Sequence, residues 1–187
     1  MTGLYILIAI VALVVVGVVI VFNQLVSKRN MAINGWADID VQLKRRTDLI
    51  PKLVAIVQGY AEHERDLFED VIAKRNSAQA AGDDPDKRGS AESALARPVT
   101  KLLAVAEDYP DLKANENFLD LQNELSDTEN KIEMARRFYN GAVRELNTLI
   151  ESVPSNFVAG LFGFKQRTFF EIGLSDRSMP QIDLGAD

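Results

Sequence analysis

The densest group of side chains able to hold a metal or move a proton is Glu62-His63-Glu64-Arg65-Asp66, followed by Glu69 and Asp70. His63 and Asp66 stand three residues apart, so on a helix they share a face, and an imidazole beside a carboxylate is a start on a transition-metal site. The set stops there. His63 is the only histidine and cysteine is absent, so no second Glu-x-x-His helix completes a di-iron bundle and no thiolate completes a zinc site. With Arg65 and Lys74 interleaved, the stretch reads better as a solvated helix face carrying ion pairs. No phosphate-binding glycine loop, nucleophile elbow or paired metal-ligand spacing occurs elsewhere. The sequence therefore predicts a protein that is not an enzyme, with no catalytic residues, no cofactor and no metal.

Lys44-Arg45-Arg46 could meet anionic lipid headgroups. It begins about 22 residues beyond an apolar N-terminal run, roughly 33 Å along a straight helix, which favours a solvated or ion-paired role. The net charge of −6 arises from 21 basic and 27 acidic residues of interspersed sign, so nucleic acid is not an expected partner. The absence of cysteine also removes disulfides and fits a domain that does not depend on an oxidising compartment.

What the sequence organises is helices. Leu4 to Phe22 reads LYILIAIVALVVVGVVIVF, nineteen residues without a charge or strongly polar group, close to the ~20 that cross a bilayer core as a helix. A signal peptide fits less well: the run exceeds a signal core, no basic residue precedes it, and no small-x-small site ends it. Lys28 and Arg29 follow an uncharged N-terminus, so the positive-inside rule puts the N-terminus out and the body in the cytoplasm. At 187 residues, one anchor plus one domain is expected.

Beyond the anchor, a seven-residue count from Trp36 aligns Leu43, Ile50, Val57, Glu64 and Val71, with Ile39, Arg46, Leu53, Tyr60 and Leu67 at the second seam position. This stripe of the coiled-coil kind predicts one long helix from Ile33 to Val71, ending near Asn76. Arg46 and Glu64 interrupt it, so each either pairs with a charge on a neighbouring helix or marks a bend; pairing is preferred for Arg46. Pro51 predicts a kink, the alternative being a new helix capped by Asp48. Residues 81–90 read as a solvated, mobile loop. Residues 91–106 form a shorter helix that Pro98 could restrict, and residues 107–111 connect it onward. A second seam carries Phe118, Leu125, Ile132, Tyr139, Leu146 and Val153 against Leu121, Thr128, Ala135, Ala142 and Leu149, and Pro154 ends that helix. Ser155-Asn156 could cap a short helix presenting Phe157, Val158, Leu161 and Phe162. Residues 173–187 read as a flexible tail or docking peptide.

The chain also resembles the LemA family along its length from the anchor to about Glu171. The residues that carry the resemblance are Trp36 with Ile39-Asp40-Val41-Gln42-Leu43-Lys44-Arg45-Arg46, Asp48-Leu49-Ile50-Pro51, Gly59-Tyr60, Asn115-Glu116-Asn117-Phe118, Glu129-Asn130-Lys131-Ile132, Arg137-Phe138-Tyr139-Asn140, Pro154-Ser155-Asn156 and Phe162-Gly163-Phe164-Lys165. Lys52 and Val153 depart from the residues common there, Asn and Phe, and bear on local packing only. The resemblance implies a bacterial single-pass membrane protein with a helical-bundle domain, in a family similar to the magnetosome protein MamQ, and implies no enzymatic activity.

The expected fold is all-α: an N-terminal transmembrane helix followed by an elongated antiparallel helical bundle. Residues 1–27 are the anchor, 28–172 the bundle and 173–187 the tail. Three helices connected strictly up and down would make the two long ones parallel, while long connectors leave the antiparallel arrangement open. The expected function is a self-associating scaffold or assembly protein of the bacterial inner membrane, the alternative being an adaptor for a protease or other envelope protein. Its partners are then the bilayer through residues 4–22, further copies of the chain, and a possible membrane protein. The expected oligomer or membrane contacts are Phe157, Leu161, Phe162, Phe164, Phe169 and Phe170, since a cluster this bulky is not left in water. Placed near headgroups beside Lys165 and Arg167, it would have the composition of an interfacial anchor; otherwise part caps the bundle and part meets a neighbouring subunit.

Overall fold

A computed structural model describes residues 1–172, all of whose regular structure is helical. The apolar run and the first stripe form one helix, α1 (Thr2–Gln58). It is the one helix among the described residues long and apolar enough to cross a membrane, and the side chains of its apolar window are not buried by protein. Pro51 lies inside it, so Asp48 does not start a new helix. Proline has no amide hydrogen, which leaves the Thr47 carbonyl without its helical donor. Arg75 supplies the replacement, its Nε donating to Thr47 O at 3.1 Å.

The first helix is shorter than the stripe implies. It stops at Gln58, where Gly59 N and Tyr60 N donate to carbonyls only three residues back, and a separate helix α2 (Arg65–Ala80) follows. The seam misled because α2 doubles back and offers Phe68 and Val71 to the core that Ile50, Leu53 and Val57 already face. A helical hairpin can preserve a stripe's phase as well as a straight helix does. Tyr60 is exposed and Glu64 only partly buried, and these two mark the turn.

The loop expected over residues 81–90 is also shorter. Helix α3 (Pro85–Glu107) starts five residues before Ser90, with Asp84 accepting from the amides of Asp86 and Lys87 and Pro85 in the first turn. An acceptor side chain followed by proline and an acid is a helix start. Arg88 and Gly89, placed in the loop from sequence, are buried, and Pro98 is accommodated inside α3. A one-turn α4 (Pro110–Lys113) fills the connector. Helix α5 (Glu116–Glu151) is entered through Asn115, whose side-chain oxygen accepts from Phe118 N at 3.2 Å. Helix α6 (Ser155–Leu161) follows; Pro154 precedes it, and neither Ser155 nor Asn156 caps it. The expected tail, residues 173–187, lies outside the described residues.

The chain divides into two compact units. Unit 1 joins Met1–Gln42 to Asn130–Phe169. Here α1 and α5 run antiparallel: Lys28 pairs with Glu145 at 2.5 Å, and further along α1 the Trp36 ring meets Tyr139 at 5.5 Å. A Cβ on Gly35 would come within 2.9 Å of the Phe138 ring and 3.1 Å of Tyr139 Cα, so glycine permits this approach. Unit 2 holds Leu43–Glu129 with residues 170–172. Its core gathers Ile50, Val57, Phe68, Leu95, Leu102 and Phe118, each worth about 1.5–3 kcal/mol against exposure. Within this unit too α5 opposes α1, with Asn115 bonded to Tyr60 and Glu129 to Arg46. The extra reversal at residues 59–64 is the reason: four helix passes replace the three counted in sequence, so the last long helix returns antiparallel.

Candidate functional site

The acidic stretch forms no site. Glu62 and His63 lie exposed between α1 and α2, off any helix, and Arg65 pairs with Glu69 at 3.6 Å on an exposed face. No group of acids and histidine among the described residues could hold a metal ion. The basic run divides as its spacing requires. Arg45 reaches Glu124 at 2.7 Å on the surface, whereas Arg46 points into unit 2 and is buried.

Arg46 is the expected seam violation, and it is paired. One guanidinium nitrogen bonds the fully buried carboxylate of Glu92, and the other donates to both oxygens of Glu129 at 2.9 and 3.2 Å. Glu92 also accepts from buried Arg88 at 3.0 Å. Burial works against the charged form of Arg46, but the two carboxylates beside it outweigh that effect and hold its pKa above the ordinary value. The network ties α1, α3 and α5 together inside unit 2, a structural role for buried charge.

The aromatic segment behind α5 is the remaining candidate. Helix α6 turns Val158 and Ala159 inward against Leu25 and Leu146 and leaves Phe157 and Leu161, one helical turn apart, 72% and 77% exposed. Its C-terminus closes with Gly163 at φ +69°. Gly163 N donates to Gly160 O at 3.3 Å and Phe164 N to Ala159 O at 2.9 Å, a Schellman closure that needs a residue free to adopt the left-handed region. This turn delivers Phe162 and Phe164 to Phe22, at ring-centroid distances of 4.7 and 5.8 Å. Arg29 lies over the Phe164 ring at 5.4 Å. The next residues run back along α5, where Asn147 bonds both the amide and the carbonyl of Arg167 and the Tyr139 hydroxyl donates to Thr168 O at 2.8 Å.

The six aromatic-segment residues singled out in sequence are therefore not one patch. Phe157, Leu161 and Phe162 are exposed near the end of the apolar run, Phe164 is half-buried under Arg29 and Phe22, and Phe169 is exposed at the edge of unit 1. Phe170 is fully buried in unit 2 and has no surface to offer. Sequence reasoning missed Phe22 and Arg29 as members of this end of the molecule. Their one signal was position, the last residue of the apolar run and a basic residue two turns on.

A model of the LemA family matches residues 35–184. The chain belongs to the LemA family. Among its relatives, magnetosome protein MamQ 2 of Paramagnetospirillum magneticum is 24% identical over 160 residues, covering 72% of this chain and 59% of the relative. Magnetosome protein MamQ of Magnetospirillum gryphiswaldense is 22% identical over 174 residues, covering 80% and 64%. Protein LemA of Metamycoplasma hominis is 26% identical over 137 residues, covering 73% and 63%. The chain thus spans less than two thirds of the length of each of these relatives. For a LemA-family chain, the landmark Phe162-Gly163-Phe164-Lys165 gains a physical meaning here: it is the glycine closure that turns two phenylalanines onto α1.

Proposed function

We propose that this protein is a non-catalytic, single-pass protein of the bacterial inner membrane whose cytoplasmic helical body self-associates into a membrane-bound scaffold. Residues 1–27 are the anchor, with the N-terminus out, and residues 28–172 the body. The names of its relatives mention no reaction.

The observation that carries the reading is apolar surface that lipid does not reach. Within unit 1, Ile33 and Val41 on α1 and Met134 and Phe138 on α5 are exposed. Val41 and Met134 are the most open, at 61% each. Ile33 and Val41 stand about 16 and 28 Å beyond Phe22 along the helix axis, past a headgroup layer that adds only about 5–8 Å to each side of the hydrocarbon core. Met134 and Phe138 lie one turn apart on α5, and Phe138 sits beside Gly35. These open apolar side chains are the positions we assign to contact with a second copy of the chain. Phe157, Leu161 and Phe162 are different: Phe162 lies against Phe22, and we assign all three to the bilayer interface.

The test is the mass of the full-length protein in detergent by light scattering after size-exclusion chromatography. The wild type should be a homo-oligomer, and Val41→Lys with Met134→Lys should reduce it to smaller species of unchanged helicity. A monomeric wild type would overturn the scaffold reading and favour the adaptor.

A further inference from the structure

Beside the end of the apolar run, unit 1 has a pocket of about 360 Å³ between Arg29 of α1 and the 162–167 turn, with Phe162, Phe164, Lys165 and Arg167 on its walls. We propose that this pocket binds the phosphate of an anionic lipid headgroup. The inference rests on the membrane-spanning reading of residues 4–22, and goes beyond it by assigning a specific ligand chemistry to a named site.

Charge is the first argument. Three cations, Arg29, Lys165 and Arg167, line the pocket and no carboxylate does. Among the described residues none of the three is in a salt bridge, whereas the neighbouring acids are engaged, Glu145 by Lys28 at 2.5 Å and Glu151 by Gln166 at 2.6 Å. Like charges gathered without a counterion repel, and an anion seated among them removes that cost.

Rigidity is the second. Arg29 is steadied over the Phe164 ring at 5.4 Å, and the backbone of Arg167 is held on both sides by Asn147 at 2.9 and 3.0 Å. The carbonyls at the end of α6, which would repel an anion, are already occupied: Val158, Ala159 and Gly160 accept from Phe162, Phe164 and Gly163. Guanidinium and ammonium groups set on this anchored backbone suit a phosphate, which takes charge-assisted hydrogen bonds from each.

Depth selects the source of that phosphate. Phe162 and Phe164 touch Phe22, the last residue of the apolar run, and Arg29 lies about 10 Å further along the helix. That is the level of the headgroups, where basic pockets meet anionic lipid. A dissolved phosphate would use the same chemistry without needing this depth.

The experiment is native mass spectrometry of full-length protein released from micelles carrying phosphatidylglycerol and phosphatidylcholine in equal amounts. The wild type should retain phosphatidylglycerol in preference. The triple variant Arg29→Gln, Lys165→Gln, Arg167→Gln should lose roughly 100-fold of that preference, from about fivefold per cation at a membrane surface. Of the single variants, Arg29→Gln, which removes a pocket charge, should cost about fivefold, while Lys28→Gln, which removes the adjacent juxtamembrane charge outside the pocket, should cost clearly less. Equal losses in Arg29→Gln and Lys28→Gln would overturn the site in favour of diffuse attraction, and no loss in the triple variant would overturn it outright. Displacement of the lipid by inorganic phosphate, but not by chloride at matched ionic strength, would overturn the lipid source and leave a site for free phosphate. Oligomer mass read from the same spectra reports the scaffold proposal separately, and wild-type protein that extracts from membranes without detergent would sink the spanning reading instead.

Discussion

Glu92→Gln changes one atom type at the centre of unit 2 and removes the charge shared by two buried guanidiniums. Glu92 is fully buried, and Arg46 is 3% exposed. Breaking a buried ion pair from one side costs about 3–5 kcal/mol, because the surviving charge stays desolvated without its partner. Glu129 remains bonded to Arg46 at 2.9 Å and is itself 45% exposed, so the loss should fall at the lower end, about 3 kcal/mol. For a chain of this size each kcal/mol moves the melting midpoint by about 2–4 °C, which gives a drop of roughly 6–12 °C, read by circular dichroism of the full-length protein in detergent. The raised pKa of Arg46 fixes the pH dependence. A cation whose folded pKa lies above its unfolded value contributes fully below the unfolded value and loses that contribution only as pH rises through the folded one. Both lie beyond working pH, so Arg46's own titration adds no slope to the wild-type-minus-variant difference between pH 6 and 9. Replacing the buried charges together, with Arg46→Met, Arg88→Met and Glu92→Leu, should recover most of the loss, since desolvation then has nothing to act on. A drop under about 2 °C for Glu92→Gln, or a triple variant no better than the single one, would refute the account of a dry, mutually dependent network.

Three glycines give further tests. Gly163→Ala forces an L-residue to φ +69° and should lower stability by about 1–2 kcal/mol, while Gly141→Ala, in a helix where an added Cβ meets nothing within 4 Å, should raise it by about 0.5–1 kcal/mol; melting midpoints moving the same way would contradict the assigned roles. Gly89→Ala would place a Cβ against the Glu171 carbonyl oxygen, releasing Phe170 from the unit 2 core at a cost of about 2 kcal/mol, so chymotrypsin should cut after Phe170 roughly 30-fold faster, and an unchanged rate would show that the segment is not held there.

The helical class, the long apolar N-terminal helix, the second seam and the pairing of Arg46 were legible because each is a matter of local periodicity or of the cost of a lone buried charge. Residues 59–64 were not, and the reason is physical. A heptad stripe records which face of a chain is buried, and α2 buries the same face after reversing as α1 does before it. The informative exception was Glu64, whose charge at a seam position marked the turn. At residues 81–90 the opposite error occurred: lack of apolar residues suggested a loop, although Asp84-Pro85-Asp86 carried a start signal. Arg88 and Gly89 are buried there by a charge network and a close backbone approach, neither of which leaves an apolar trace.

The aromatic segment shows why site residues were harder to read than helices. Composition alone identified Phe157 to Phe170 as too apolar for water, but composition does not say which ring meets protein, lipid or core. That partition follows from the antiparallel return of α5, itself a consequence of the missed reversal at residues 59–64. Once α5 comes back toward the apolar run, Gly163 can turn Phe162 and Phe164 onto Phe22, and Arg29 gains a ring to lie on. The basic side chains at 165 and 167, ordinary in sequence, then stand beside Arg29, more than 130 residues earlier in the chain but lining the same pocket. A one-turn misreading near Tyr60 thus propagates to the far end of the chain, because in a helical bundle the number of reversals, more than any single motif, decides which ends meet.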